Sequence, residues 1–476
     1  MKTIKELESG REVDGIAIPQ CRILRERLAP GFQSELQKHE PRTEAHLDPN
    51  WAPTLIHSLI EDAYTARASD IHIEPGVSGA TVRFRIDGVI SDVARITRTE
   101  ATVTINQLKA IANLDPVANF LPRNAHASCA LPSGQLDLRV ALTPSQAGEA
   151  AAVRLLDSRR LQRAIDDLGL AGTQVQLLQS WIEASVGMFL SAGPTGCGKT
   201  TTVYSLLHEI KRGDRVVVSL EDPVEYHVDG IVQVQLDERH HLNFGEGIKQ
   251  MLRLDPDYLM LGEIRDPLSA RAAVDAAISG RVLLSTVHSR DAVGAVTALR
   301  NWGLHDHEIA EALAIVVGQR LVRRVCPACC RTREPSAKEC RWIEAVGLAV
   351  PRRVPEAVGC AKCGQLGYSG RTGIFEMWRL DEADYEAILQ HTGEHALRRM
   401  LAEREHRPII VDGMAKVVAG LTTVSELRRA ATAVFPAQRL ELPGLSRRRT
   451  TERDGRKEEV LDLAVPQPLA YYARHD

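Results

Sequence analysis

Apolar residues fall into distinct regimes along the chain. Over residues 1–50 they are scattered loosely among charges, which predicts a flexible or partner-bound arm. From Trp51 the spacing tightens: Trp51, Leu55, Ile56, Leu59, Ile60 and Ala63 line one face of a helix of about 16 residues. Alternation then takes over. Ile71-His72-Ile73-Glu74 reads as a strand, and Val82, Phe84 and Ile86 alternate with Arg83, Arg85 and Asp87 ahead of an Asp87-Gly88 turn signal. Residues 51–157 therefore read as a small α+β domain with basic side chains on one sheet face, followed by a linker over 158–170.

Beyond the linker the pattern changes to α/β. Helical spacing over 172–186 leads into the short buried strand Gly187-Met188-Phe189-Leu190, and strand-like runs recur at 215–220, 258–262 and 282–287 between helical segments. Such βα alternation implies a parallel sheet covered by helices. This second domain spans 171–433, with helical spacing resuming from about 381, and carries a cysteine-flanked insertion over 326–363. The tail, 434–476, reads as mobile, because 439–460 holds 12 charged residues of both signs in 22.

Composition narrows the class. A chain of 476 residues with 44% hydrophobic and 25% charged residues suits a globular protein of two or three domains. Lys plus Arg is 59 against 62 Asp plus Glu, a net charge of −3, which argues against a nucleic-acid binder driven by bulk charge. No apolar run approaches the roughly 18 residues that span a bilayer. Lys2, Lys5, Glu6 and Glu8, with no apolar stretch behind them, do not make a signal peptide. The reading is a cytoplasmic protein.

Candidate chemistry begins at Gly193-Pro194-Thr195-Gly196-Cys197-Gly198-Lys199-Thr200, a GxxxxGK[ST] loop between a strand and a helix. Its glycines let N–H groups converge on phosphate oxygens at a helix N-terminus. Lys199 would reach the β- and γ-phosphates and the Thr200 hydroxyl would ligate Mg²⁺, with Thr201 completing the ATP-binding set. Cys197 adds a thiol that would make the loop oxidation-sensitive. Hydrolysis also needs acidic and polar groups at the C-terminal strand ends. Three strand ends carry candidates: Glu221 and Glu225 after 216–220, Glu263 after 259–262, and His288 after 283–287. Farther on, Cys326-Pro327-Ala328-Cys329 and Cys360-Ala361-Lys362-Cys363 offer four thiolates suited to a closed structural Zn²⁺ site. Cys330 and Cys340 lie near enough to substitute as ligands.

Together these segments resemble the secretion ATPases of the type II secretion and type IV pilus assembly superfamily. The similarity runs through Glu221-Asp222-Pro223-Val224-Glu225-Tyr226, Asp255-Pro256-Asp257 with Gly262-Glu263-Ile264-Arg265-Asp266, and Ser285-Thr286-Val287-His288. It extends to Ala68–Pro75, Arg83–Gly88, Asp137–Val140, Gly148-Glu149, Arg154–Leu156, Gln319–Arg324 and Gly370–Glu376, so it covers about 51–430. The resemblance implies a RecA-like P-loop motor domain behind a smaller PAS-like α+β domain, assembled as a homo-hexamer. It also implies that Arg139 and Arg154 approach the ATP phosphates from outside the motor domain. Glu221 is the preferred water-orienting carboxylate and Glu225 the second; Glu263 supports Mg²⁺ and His288 senses the γ-phosphate. Hydrolysis would drive protein export or pilus assembly at the inner membrane, through a platform protein and cytoplasmic secretion or pilus components, with the chain peripheral to the membrane and no nucleic acid involved. In this family the cysteine insertion marks secretion and pilus-extension ATPases rather than retraction ATPases.

The chain departs from the family pattern at Arg281, where His usually follows the glycine, and at Pro122-Arg123-Asn124-Ala125-His126, where Pro-Gln-Asp-Gly-Arg is usual. The arm is also short for the extra domain by which many relatives dock. Two other classes fit a P-loop: a DNA-handling or conjugation-type motor, and a silent nucleotide-binding regulator.

Overall fold

The computed structural model describes residues 51–117, 121–132, 134–157, 162–211, 214–236, 244–404, 406–431, 448–453 and 456–461. The arm expected over 1–50 lies outside them. Packing divides the chain into two units. One runs to Asp157 and includes Cys326–Cys330 and Ala357–Gly370; the other holds Ser158–Val325, Arg331–Glu356 and the residues from Arg371. The cysteine segments thus group with the first unit, whereas the sequence reading set them inside the span of the second domain.

The first unit contains α1 (Trp51–Thr65), β1 (Ala68–Gly76), β2 (Gly79–Ile86), β3 (Val89–Ile96), α2 (Arg98–Ile111), β4 (Arg123–Leu131), β5 (Gly134–Ser145) and β6 (Gly148–Leu156). The strands lie in the order β3-β2-β1-β6-β5-β4, with every neighbouring pair antiparallel. Leu55, Ile56, Leu59 and Ile60 of α1 join Ile71, Ile73, Val82 and Phe84 of the sheet in one core. The alternate strand positions carry polar residues, and register sets Arg85, Asp70, Arg154 and Arg139 in a row across β2, β1, β6 and β5. Helix α2 starts where Thr97 and Glu100 exchange bonds in a capping box: Thr97 N donates to Glu100 Oε2 at 2.7 Å. Near its other end the fully buried Lys109 lies 2.6 Å from Glu149 Oε2.

The second unit is built on seven strands: β7 (Met188–Ala192), β8 (Val217–Glu221), β9 (Val232–Gln235), β10 (Tyr258–Ile264), β11 (Val282–Val287), β12 (Leu313–Val325) and β15 (Tyr368–Arg379). Their order is β15-β12-β7-β11-β10-β8-β9, and neighbours from β12 to β9 are parallel. Helices α3 (Gly172–Ala184), α4 (Lys199–Ile210), α5 (Phe244–Leu252), α6 (Pro267–Ile278), α7 (Ala292–Asn301) and α8 (Asp306–Ala312) connect them. Met188, Leu190 and Ala192 join one core with Ala270, Val274, Val296 and Leu299 of α6 and α7. Phe189 joins another with Leu178, Trp181, Val203 and Leu207 of α3 and α4. Apolar cover on both faces is why these strands read as continuous apolar runs.

The remaining elements are β13 (Cys330–Arg333) paired with β14 (Val354–Ala357), α9 (Ala337–Ala345), and α10 (Glu382–Leu389), α11 (Glu394–Glu403), α12 (Ile409–Val418) and α13 (Val424–Ala431). In the tail read as mobile, β16 (Arg448–Arg453) and β17 (Arg456–Leu461) form an antiparallel hairpin.

Candidate functional site

The glycine-rich loop leaves β7 at Ala192 and enters α4 at Lys199. Gly193, Gly196 and Gly198 have φ of 158°, 75° and 93°. A Cβ on Gly193 would lie 2.5 Å from Cys197 Sγ and 2.8 Å from Gln319 O, so only glycine permits this turn. Gly193 N donates to Val287 O at 3.2 Å, which ties the loop to the end of β11. Pro194, Thr195 and Gly196 are exposed, and Thr200 and Thr201 are half-buried on the first turn of α4.

Lys199 is 8% exposed and donates to Gly193 O at 2.8 Å and Pro194 O at 3.2 Å. Burial lowers its pKa, and among the described residues no carboxylate lies within ion-pair distance. A buried ammonium with only carbonyl partners, at a helix N-terminus, is suited to an anion with several oxygens. The loop therefore fits a nucleotide phosphate. The Cys197 thiol is buried and pushed upward in pKa by that burial. Oxidation needs an accessible thiolate, so the expected redox sensitivity is not supported by this environment.

Parallel pairing of β10 with β11 sets Ile264 opposite Val287 and brings the following side chains together. His288 Nε2 lies 3.3 Å from Glu263 Oε2, and the two are 44% and 37% exposed. Arg265 holds the same edge, with Nη1 3.7 Å from Glu263 Oε1 and Nη2 3.1 Å from Asp222 Oδ2. The charge of Glu263 reaches Lys199, partly opposing the effect of burial on the ammonium.

Glu221 is different. It is 2% exposed, and its Oε1 accepts from Ser219 Oγ at 2.6 Å and Gln233 Nε2 at 3.3 Å. Its Oε2 accepts from the Tyr204 hydroxyl, whose pKa is raised by burial and by the Glu221 charge. Both oxygens are engaged inside the protein. Glu225 is half-buried in the loop beyond.

Asp255 and Asp257 precede β10, at the end of the sheet away from the loop. Asp257 Oδ2 accepts from Val216 N at 2.7 Å, and Arg281 Nη2 lies 3.3 Å from Asp255 Oδ1. Residues 258–262 lie between Asp257 and Glu263, and residues 282–287 between Arg281 and His288, so the two ends are on the order of 20 Å apart. Arg281, the departure at the usual His, therefore pairs with an aspartate remote from the phosphate loop.

In the first unit, Arg154 Nε donates to Asp70 Oδ1 at 3.1 Å. Its neighbour Arg139 has Nε and Nη2 buried without a hydrogen-bond partner among the described residues. Two guanidiniums side by side, one incompletely satisfied, make an anion-seeking row. The four cysteines converge as their spacing predicts, with all sulfurs within 4.8 Å of one another. Cys326 and Cys360 sulfurs are 4.0 Å apart, Cys329 and Cys363 3.8 Å, and Cys360 and Cys363 3.8 Å. A tetrahedron with Zn–S of about 2.3 Å has edges of about 3.8 Å, so the donor set fits Zn²⁺ without rearrangement. Cys360 N and Gly367 N both donate to Cys363 Sγ at 3.2 Å. Cys330 and Cys340 are outside this cluster.

Tyr204 and Gln233 were not singled out in the sequence, and Arg265, Gln319 and Arg320 entered only within the family similarity, with no role; all five hold site residues in place. Their signal is tertiary, since most of their partners lie on other segments of the fold.

The sequence profile of the family described as "Type II/IV secretion system protein" matches residues 46–429. The "Type II secretion system protein E" of Aeromonas hydrophila is 37% identical over 376 residues, 79% of this chain and 74% of that one. The "Type II secretion system ATPase E" of Vibrio cholerae is 37% identical over 400 residues, 83% and 78%. Among solved structures, the Yersinia pseudotuberculosis ATPase DotB aligns with a TM-score of 0.60 at 18% identity, covering 83% of this chain and 97% of that one. The pilus retraction motor PilT with bound ADP aligns at 0.54 and 19%, covering 79% and 96%. At that identity the two structures establish the P-loop ATPase fold alone. By sequence over most of its length, the chain belongs to the type II/IV secretion system protein family.

Proposed function

We propose that this chain is a Mg²⁺-dependent ATP hydrolase that works as a homo-hexamer and powers protein export by type II secretion or the assembly of type IV pili. The observation that carries the reading is that Glu263 and His288 pair at the C-terminal ends of β10 and β11, the end at which Gly193 of the P-loop is tied to Val287, with the Glu263 charge reaching Lys199. In this reading Gly193–Thr201 bind the phosphates, and Thr200 with Glu263 would hold Mg²⁺. When bound, the metal nucleotide supplies an activated phosphoanhydride. His288 reports on the γ-phosphate through its contact with Glu263. Glu225 takes the water-orienting role in preference to Glu221, because both oxygens of Glu221 already accept internal hydrogen bonds. Arg139 and Arg154 act on the phosphates as fixed charges, and the cysteine cluster holds one structural Zn²⁺.

The force is delivered to a platform protein of the inner membrane and to cytoplasmic secretion or pilus components, with the chain peripheral to the membrane. Among the described residues no helix is long and apolar enough to cross a membrane. Phosphate release by the purified chain tests the proposal. Turnover should require Mg²⁺, fall sharply in Lys199→Ala and Glu263→Gln, and be indifferent to added DNA. Parent-like hydrolysis in both variants would remove the site, and strong stimulation by DNA would favour a nucleic-acid motor.

A further inference from the structure

Two consecutive residues of β12 touch both halves of the phosphate site. β12 lies beside β7, with Gly318 opposite Ala192, the last residue before the P-loop. The buried Gln319 accepts through Oε1 from Ser191 Oγ at 3.0 Å and from Thr202 Oγ1 at 2.8 Å. Its Nε2 donates to Cys197 O at 2.8 Å. One amide therefore joins β7, the middle of the loop and the first turn of α4. A Cβ on Gly198 would lie 3.1 Å from this Nε2, so the loop and strand meet without slack.

Arg320 packs against the loop at Gly193, where a Cβ would lie 3.1 Å from its Nη1, but among the described residues its hydrogen bonds go elsewhere and reach the other half. It is 5% exposed, donates through Nη1 to Gln319 O at 2.7 Å, and donates through Nη2 to Arg290 O. Arg290 is two residues beyond His288. The same segment is held from its far side, where Arg398 Nη2 donates to Asp291 Oδ1 at 3.0 Å and Ala292 N donates to Glu376 Oε1 at 3.1 Å. Arg320 pairs directly with no carboxylate among the described residues; Asp291 and Glu376 compensate its charge from a distance. A buried guanidinium spent on two carbonyls is a costly way to fill a core, and it makes sense where those carbonyls must be held in place.

Resting on the ATP-hydrolase reading above, we propose that Gln319 and Arg320 are positioning residues with separable roles. Gln319 fixes the P-loop for phosphate binding, and Arg320 fixes the His288 segment for turnover. A single strand thus aligns the binding and the sensing halves, which a purely structural pair would not divide in this way.

The test uses the purified full-length chain, with binding of a fluorescent ATP analogue and phosphate release read separately. Gln319→Ala leaves the Cys197 carbonyl and two hydroxyls without partners, and the analogue Kd should rise about tenfold. Gln319→Glu keeps the acceptor for Ser191 and Thr202 but sets a carboxylate against the Cys197 carbonyl, so its Kd should rise at least as far. Arg320→Lys keeps the charge but cannot bridge two carbonyls with one fork; its Kd should stay within about twofold of the parent while kcat falls about tenfold. Thermal melting identifies the folded variants, and if Gln319→Ala does not fold, Gln319→Glu and Arg320→Lys carry the comparison. A parent-like Kd in the folded Gln319 variants, a parent-like kcat in Arg320→Lys, or a lowered melting temperature alone overturns the proposal. A parent that itself releases no phosphate sinks the hydrolase reading first; an active parent matched by its variants sinks only this one.

Discussion

Stripping the metal from the four-cysteine cluster is expected to unlock residues 357–370 while the P-loop keeps its affinity for nucleotide. The perturbation is the double substitution Cys360→Ser with Cys363→Ser, or a strong chelator applied to the parent. Within 357–370 the buried positions are Cys363, Gly364 and Gly367, and its aliphatic and aromatic side chains, Leu366 and Tyr368 among them, are at most half-buried. Ordering these 14 residues costs about 1–1.5 kcal/mol each, about 14–21 kcal/mol in all. Structural Zn²⁺ contributes about 10–16 kcal/mol. Backbone bonds such as Cys326 N to Gly367 O and Gln365 N to Cys360 O, both 2.9 Å, add about 1 kcal/mol each. The two sides nearly balance with the metal and fail to balance without it. Metal analysis should find one zinc per chain in parent protein purified without chelator, and none in the double variant. Lys362 is exposed on this segment, so trypsin should cut there more than about tenfold faster once zinc is lost. Absence of zinc from the parent, or equal resistance at Lys362 with and without metal, would refute the reasoning.

Three further outcomes are expected. Arg139→Ala and Arg154→Ala should bind ATP nearly as the parent does and turn over slowly, and mixing Arg154→Ala with Lys199→Ala chains should restore activity only if the arginine serves a neighbour's nucleotide; wild-type turnover in both would discard the role. Glu149→Ala removes the carboxylate that faces the buried Lys109 ammonium, which also donates to Pro116 O at 3.2 Å, and should cost about 3–5 kcal/mol in denaturant unfolding of the first unit, whereas Lys109→Met with Glu149→Leu should recover most of it; an unchanged midpoint in the single variant would count against this. Burial pushes Glu426 up, but Arg429 and Arg323 hold its carboxyl at about 2 against an ordinary 4.5. The folded pKa is depressed, so this stabilisation is present above about pH 4.5 and lost as pH falls through about 2. Glu426→Gln should remove at most about 3 kcal/mol at neutral pH and flatten the acid limb of the melting curve between those values; a parallel curve would show that the ion pairs contribute nothing.

How far the sequence reached depended on whether the signal was local. The α1 face from Leu55 to Ala63, the β11 run 282–287 and the P-loop were legible because periodicity and glycine placement act over a few residues. The two cysteine pairs were legible for a related reason: their ligand spacing carries the chemistry, although 30 residues part them.

Residue identity alone placed Glu221, Glu263 and His288 at strand ends. Which of them faces solvent was decided by packing, because Tyr204 and Ser219 come from other positions to occupy Glu221. Likewise Arg281 stood out as a departure from pattern, yet the sheet puts it beside Asp255, far from the loop. β12 makes the point most fully. Gln319 and Arg320 stood out only as part of the Gln319–Arg324 similarity, with no role attached, and apart from the Arg320 bond to Gln319 O their partners lie 30 to 128 residues away. The sequence by itself determined the elements and the reactive groups, since those follow from short-range sterics and side-chain chemistry. Only the tertiary structure decided which groups stay free to meet a ligand, because burial and hydrogen-bond saturation are properties of contacts that no local pattern encodes.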